Sequence, residues 1–445
     1  MIKKIFFTLF FSAFVFIQNA SAELFKAHEF FLNNGLRVVV VENHKAPIIK
    51  QMLFYRVGAV NDGIGKGGRA HFLEHLMFRG TDKIKDGELN EIFENNGISN
   101  NAFTGYEVTA FHEFADISKL ELLLAIEADR MRGLNFDEKA FNTEKKVVIE
   151  ERKQVIENNP SAPFSERFRQ NIWGNNSFGR PITGLIEEIE ALSYKDVKNF
   201  YNKYYTPKNA ILIISGDIDV ATAKTLVEKY FGAIKNPPLK TRYSNIPVLR
   251  EKFSQRLQMS LPHIQTPKIV WKYILPPNSE LNGHTYDYAA LAQYLGEGQS
   301  SALYRDLVIE QKVALSVSAS FDFITRTNVI FSISMVPADG ISVETTEETM
   351  NEALQNAVQK LDVKKLDSIK KKMVADLVYI NDNPTDSANI IGYMLATGFS
   401  LDDVQNYEQK VAEISLSGVK NAYREVFYNS TKAIGILLPE KGDEK

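Results

Sequence analysis

The chain has 445 residues, a formal net charge of −3 and no cysteine. The absence of thiols excludes disulfide frameworks, cysteine nucleophiles and cysteine-bound zinc, so stability has to come from burial. The near balance of charge argues against nucleic acid as a partner.

Residues 1–22 read as a secretory signal peptide, with Lys3 and Lys4 as the charged start, Ile5 to Ile17 as the apolar core and Ala20-Ser21-Ala22 as a small-residue cleavage site. Its removal shifts the formal charge from −3 to −5 and leaves about 420 residues, more than one core usually supports, so two or more domains are expected. No later stretch is long and apolar enough to span a bilayer, and an exported, periplasmic protein with no stable membrane span is predicted.

His28–Phe31, Arg37–Glu42 and Ile48–Val57 are rich in branched and aromatic residues and predict strands, with Asn33-Asn34-Gly35 turning between the first two. Gly58–Gly68 is a glycine-rich loop without a P-loop pattern. It leads into Gly68-Arg-Ala-His71-Phe-Leu-Glu74-His75-Leu-Met-Phe-Arg-Gly80. On a helix, His71 and His75 point from one face, with Glu74 beside them. A catalytic zinc site needs imidazole nitrogens at about 2.0 to 2.1 Å, an open position for water and a nearby base, and this stretch offers them in the inverted H-x-x-E-H order. A lone histidine on an apolar helix is ordinarily a core residue; a pair four apart with an acid between is a different case.

Asp86–Asn96 predicts a second helix, followed after Gly97 by a strand pair, Asn100–Thr104 and Glu107–Ala115. Ile117–Arg132 is an amphipathic helix, and Asp137–Glu157 a long one stopped by Asn158-Asn159-Pro160. Ser165–Trp173 and Asp196–Tyr205 predict helices, Ser177–Gly184 a loop and Ala210–Ser215 a buried strand.

A repeat organises the remainder. Leu192-Ser-Tyr-Lys-Asp-Val-Lys-Asn-Phe-Tyr201 recurs as Ile414-Ser-Leu-Ser-Gly-Val-Lys-Asn-Ala-Tyr423, a shift of 222 positions, and each copy runs on into an apolar strand beginning at Ala210 or Ala433. The chain reads as a tandem duplication. The same shift carries the histidine helix onto Gln293-Tyr-Leu-Gly296-Glu297, so the second copy has no equivalent ligand set. The proline- and charge-rich stretch 236–255 reads as a linker between a catalytic zinc-binding domain, 23–235, and a second homologous domain, 256–445.

Two histidines do not close a catalytic zinc site, and the candidates for a third ligand lie in the long helix: Glu144, Glu150 and Glu151. Glu144 and Glu151 share a face, whereas Glu150 is rotated by about 100°. Which face points inward is open at this stage.

The inverted motif, followed by Asn101-Ala-Phe-Thr-Gly-Tyr-Glu107-Val-Thr, then Asp129-Arg-Met, then Glu144 and Val147-Val-Ile-Glu-Glu151, resembles the pitrilysin superfamily of zinc peptidases, which includes insulin-degrading enzyme and the mitochondrial processing peptidase. The resemblance implies an α+β fold of two homologous domains, each a mainly antiparallel sheet packed against helices. It implies that Glu151 is the third zinc ligand, that Glu144 supports the site from behind, and that Glu74 is the general base for one zinc ion per chain. It further implies that Asn101, Ala102 and Phe103 lie on an edge strand to which a peptide substrate adds by backbone pairing.

The sequence departs from the family where many relatives carry an Arg and a Tyr seven residues apart; here Val308 and Leu315 stand there. A homologous subunit supplying both groups, as a heterodimer, is therefore expected, with a homodimer as the other possibility. The function implied is a zinc metalloendopeptidase; the alternative is a non-catalytic binding or assembly subunit of the same fold.

Overall fold

The computed structural model describes residues 25–237 and 246–440. The expected signal peptide lies outside them, as does part of the expected linker.

Two sheets of matching design organise the chain. The first contains β1 (Ala27–Phe31), β2 (Arg37–Glu42), β3 (Ile48–Tyr55), β4 (Ser99–Thr104), β5 (Thr109–Asp116) and β6 (Ala210–Gly216), in the order β1-β2-β6-β3-β5-β4. The second contains β7 (Ser254–Leu261), β8 (Lys268–Pro277), β9 (Ala314–Asp322), β10 (Asn328–Pro337) and β11 (Thr431–Pro439), in the order β7-β11-β8-β10-β9. Each has one parallel pairing, β2 with β6 and β7 with β11, among antiparallel ones. Apart from β1, the second sheet reproduces the first strand for strand.

The helices of the first half are α1 (Arg69–Leu76), α2 (Glu88–Asn95), α3 (Leu120–Gly133), α4 (Glu138–Glu157), α5 (Ala162–Trp173), α6 (Ile186–Glu190), α7 (Tyr194–Tyr204) and α8 (Val220–Phe231). Those of the second are α9 (Thr285–Gly296), α10 (Val343–Lys360), α11 (Val363–Asp382), α12 (Pro384–Ala396), α13 (Leu401–Gln405), α14 (Tyr407–Ala412) and α15 (Leu416–Arg424). The repeated segments become α7 with β6 and α15 with β11. Ser193 and Ser415, in matching positions, each cap their helix by accepting a backbone N–H.

Central strands carry unbroken apolar runs because both of their faces are covered. Val38 to Val41 of β2 and Ile211 to Ile214 of β6 are all buried. One face of the first sheet packs on α1, α3, α7 and α8. The other face is covered from the second half, where Ile391, Met394 and Leu395 of α12 pack against Met52, Phe54 and Ile213. In return Phe168, Ile172 and Trp173 of α5, from the first half, pack on Ile274 and Ala433 of the second sheet. Each half thus closes the open face of the other.

Several expected boundaries move, three of them for a clear local reason. The helix expected from Asp86 starts at Glu88, because Gly87 takes φ +85°. The strand expected from Glu107 starts at Thr109, because Glu107 occupies the turn between β4 and β5. The last two residues of the expected linker, Ser254 and Gln255, belong to β7, where pairing with β11 holds them.

Candidate metal centre

The histidine helix is fixed at its N-terminus by a residue outside it. Buried Asp62 accepts hydrogen bonds from the backbone N–H groups of Gly68 and Ala70, both at 2.8 Å, so two of the helix's unpaired donors find a carboxylate. Gly68 takes φ +80°, and a Cβ there would meet the Thr183 carbonyl oxygen at 2.3 Å, so only glycine fits. Ala70, Phe72, Leu73 and Leu76 anchor α1 in the core, leaving the stripe with His71, Glu74 and His75 for the site.

Asp137 caps the facing helix, α4, by accepting from the Ala140 N–H at 2.7 Å. Phe141, Glu144, Val148 and Glu151 then fall on one stripe of α4; Phe141 and Val148 bury it against the core, so the two acids are carried towards α1. Glu151 reaches His71 Nε2 at 3.6 Å and His75 Nε2 at 3.1 Å. Glu150, left open by sequence, faces solvent and pairs with Lys153 at 2.7 Å.

His71, His75 and Glu151 each present one ligand atom within 4.8 Å of the others. Tetrahedral bonds of about 2.0 to 2.1 Å place ligand atoms about 3.3 to 3.4 Å apart. The two histidine nitrogens lie near that distance from the two different Glu151 oxygens, and with one atom from each residue the set spans up to 4.8 Å, so these donors are of the type and near the spacing that zinc takes and would draw together around an ion. His71 is buried and its Nδ1 has no hydrogen-bond partner among the described residues, so packing alone orients its ring. His75 is oriented by Glu144, whose Oε1 lies 3.0 Å from its Nδ1.

Burial and the charge of His75 push His71 down to about 4, keeping it neutral and able to donate its lone pair. Burial works against charge on His75 too, but its bonds to Glu144 and Glu151 outweigh that and push it up to about 9. Burial opposes ionisation of Glu144, and the bonds from His75 and Arg79 overcome it and hold its carboxyl below the usual range. Burial raises Glu74, against a hydrogen bond from Thr104.

Two contacts here escaped the sequence reading. Arg79 grips Glu144 through Nε, at 2.6 Å from Oε2, and through Nη2. Its signal was present, since Arg79 is four residues after His75 on the same stripe. Thr104, at the end of β4, donates its hydroxyl to Glu74. No local pattern links positions thirty apart. Asn101, Ala102 and Phe103 lie on β4, at the edge of the first sheet, with Asn101 exposed.

Residues 37–184 match the model of the insulinase family, peptidase family M16, and residues 191–373 match the M16 inactive domain. The chain belongs to the M16 peptidase family. It is 26% identical to the zinc protease PqqE of Helicobacter pylori over 427 residues, covering 95% of each chain. It is 24% identical to YmxG of Bacillus subtilis, described as an uncharacterized zinc protease, over 411 residues, covering 91% of this chain and 97% of that one. Among solved structures, a protease from Helicobacter pylori superposes with TM-score 0.83 at 26% identity, covering 93% of this chain and all of that one. The periplasmic protease PqqL of Escherichia coli shares the fold at TM-score 0.80 and 17% identity; this chain covers 48% of it.

The part of this M16 chain matched by the inactive-domain model carries other residues where the first half has the candidate ligands. At the 222-residue offset, Gln293, Gly296 and Glu297 correspond to His71, Glu74 and His75, and buried Met373 to Glu151. Glu297 pairs with Lys372 at 2.6 Å, so the cation there is an ammonium group. A Cβ on Gly296 would meet the Ala319 nitrogen of β9 at 2.0 Å, so no side chain fits where the first half has Glu74. Val308 is half-buried on the short π-helix Tyr304–Glu310, and Leu315 is 52% exposed on β9. Neither offers a hydrogen bond.

Proposed function

We propose that this chain is an exported zinc metalloendopeptidase that hydrolyses peptides or unfolded segments, working with a homologous partner subunit. The observation that carries the reading is the convergence of His71, His75 and Glu151 on one point with Glu74 beside them. Zinc bound there supplies a Lewis acid that brings the pKa of a water towards about 7 and polarises a carbonyl. Glu74 accepts the proton of the attacking water and delivers it to the leaving amine nitrogen. Thr104 holds that carboxylate by its hydroxyl. Glu144, itself fixed by Arg79, sets which nitrogen of His75 faces the metal. The exposed edge of β4, with Asn101, Ala102 and Phe103, takes the substrate as an added strand, so backbone pairing gives affinity for many sequences.

Export is supported by the charged, apolar and small-residue segments within residues 1–22. The partner subunit is supported by Val308 and Leu315, which leave this chain without the Arg and Tyr that the family resemblance puts there. The same two residues favour a second reading, a non-catalytic subunit that binds or assembles.

The deciding experiment measures zinc content and cleavage of an unstructured peptide by this chain, alone and with a co-purified homologue, with and without chelator. Chelator-sensitive cleavage supports the peptidase; a zinc-free chain that is inactive with its partner supports the second reading. Full turnover by the monomer would remove the need for a partner. Glu74→Gln should keep zinc and lower kcat by about 10²- to 10⁴-fold. An active Glu74→Gln protein contradicts its role as base.

A further inference from the structure

Among the described residues of the second half no group of metal-ligating side chains is found, yet this half reaches the candidate-site edge of the first. The contact is Glu107, which is only 3% exposed and sits in the turn joining β4 to β5. Its Oε1 accepts the Thr325 hydroxyl and the Arg326 backbone N–H, the latter at 3.1 Å. Its Oε2 lies 2.7 Å from Arg326 Nε and 3.3 Å from the Arg326 backbone nitrogen. Thr325 and Arg326 belong to the turn joining β9 to β10, in the other half of the chain. A carboxylate this deeply buried is tolerated only when its oxygens are paired, and here Thr325 and Arg326 pair both oxygens from one turn more than two hundred residues away.

The first half grips the same turn from the opposite side. The backbone N–H of Ala59 donates to Gly105 at 3.0 Å, and that of Val60 to Tyr106 at 2.9 Å. The Tyr106 hydroxyl donates to the Arg180 carbonyl at 2.8 Å. At the root of this doubly held turn stands Thr104, the residue that bonds Glu74. Phe103 beside it stacks on Tyr393 of α12, again from the second half, with ring centroids 6.5 Å apart.

We propose that Glu107 is a positioning residue that makes the second domain a brace for β4, holding the substrate edge and, through Thr104, the Glu74 carboxylate. The ligand-free half then contributes to the reaction by fixing a strand rather than by touching the metal. The catalytic part of this inference rests on the peptidase reading; the mechanical part does not.

The test uses the full chain with Glu107→Gln, which removes the charge while keeping the shape, and with Thr325→Ala, a mild change on the partner turn. Amide exchange of residues 99–108 should become about tenfold faster or more in both, with α1 and α4 unchanged. Zinc stoichiometry should stay at the wild-type value, because the ligands lie on α1 and α4. With the co-purified partner present, the kcat/KM for an unstructured peptide should fall by about tenfold, with KM raised by the loosened edge and kcat lowered by the loosened Thr104. Unchanged protection of the hairpin overturns the proposal, as does faster exchange spread evenly over both sheets. A loosened hairpin with unchanged kcat/KM in an active enzyme overturns the catalytic part. If the wild-type chain cleaves no peptide even with its co-purified partner, the peptidase reading fails, and the exchange measurement still decides whether the brace exists.

Discussion

Arg79→Met should weaken zinc binding by about 10- to 100-fold although Arg79 touches neither ligand nitrogen nor ligand oxygen. In the wild type the guanidinium holds Glu144, which is only 6% exposed, and Glu144 in turn holds His75 Nδ1 at 3.0 Å. Methionine keeps most of the stem and removes every donor. Glu144 then has a buried charge satisfied by His75 alone, which favours protonation of Glu144 or reorientation of the ring. A 10- to 100-fold loss corresponds to about 1.4 to 2.8 kcal/mol. The effect on folding should be smaller than for a fully buried pair, near the lower end of about 1 to 3 kcal/mol, because the Arg79 side chain is 28% exposed and water can replace part of what is lost. Competition against a chromophoric chelator near neutral pH gives the affinity, and urea unfolding of the metal-free protein gives the stability. Zinc affinity within about twofold of wild type would refute the view that Glu144 works only while Arg79 holds it.

The acid limb of kcat/KM should lie above the ordinary Glu value of about 4.3, because burial raises Glu74 and the base is lost as pH falls through its pKa; a limb at or below that value contradicts the assignment. In the metal-free protein His75 is pushed up to about 9 and is charged at neutral pH, so zinc uptake there should release about one proton, read as buffer-dependent heat in calorimetry. No proton release near neutral pH would mean that His75 is already neutral. Gly392→Val should strip α12 from the first sheet, since a Cβ there would lie 2.0 Å from the Phe54 ring. Overpacking of this kind costs about 1 to 3 kcal/mol or more, and lower thermal stability with faster proteolysis between the halves is expected; unchanged stability would show that α12 shifts freely.

What was legible in the sequence is what local periodicity encodes. The four-residue spacing of His71 and His75 and the seven-residue spacing of Glu144 and Glu151 define stripes on helices whatever the helices pack against. The repeat at 222 positions announced a second sheet of the same design, and the missing ligands at Gln293 and Glu297 were readable by simple offset. The choice between Glu150 and Glu151 was not, because two adjacent residues on an isolated helix are distinguished only by which face is buried. In the structure Phe141 and Val148 pack against the core, and it is Glu151, not Glu150, that meets the two imidazoles.

Tertiary structure alone decided which contacts join distant parts of the chain. Asp62 capping α1, Thr104 meeting Glu74, the crossing of α12 and α5 between sheets and the grip of Glu107 on Arg326 all pair residues with no common period. A sequence specifies faces by repetition, over distances of a helical turn or two. Which face meets which is set by the burial of whole layers at once, and here that burial brings the second half of the chain to the edge of the first half's site.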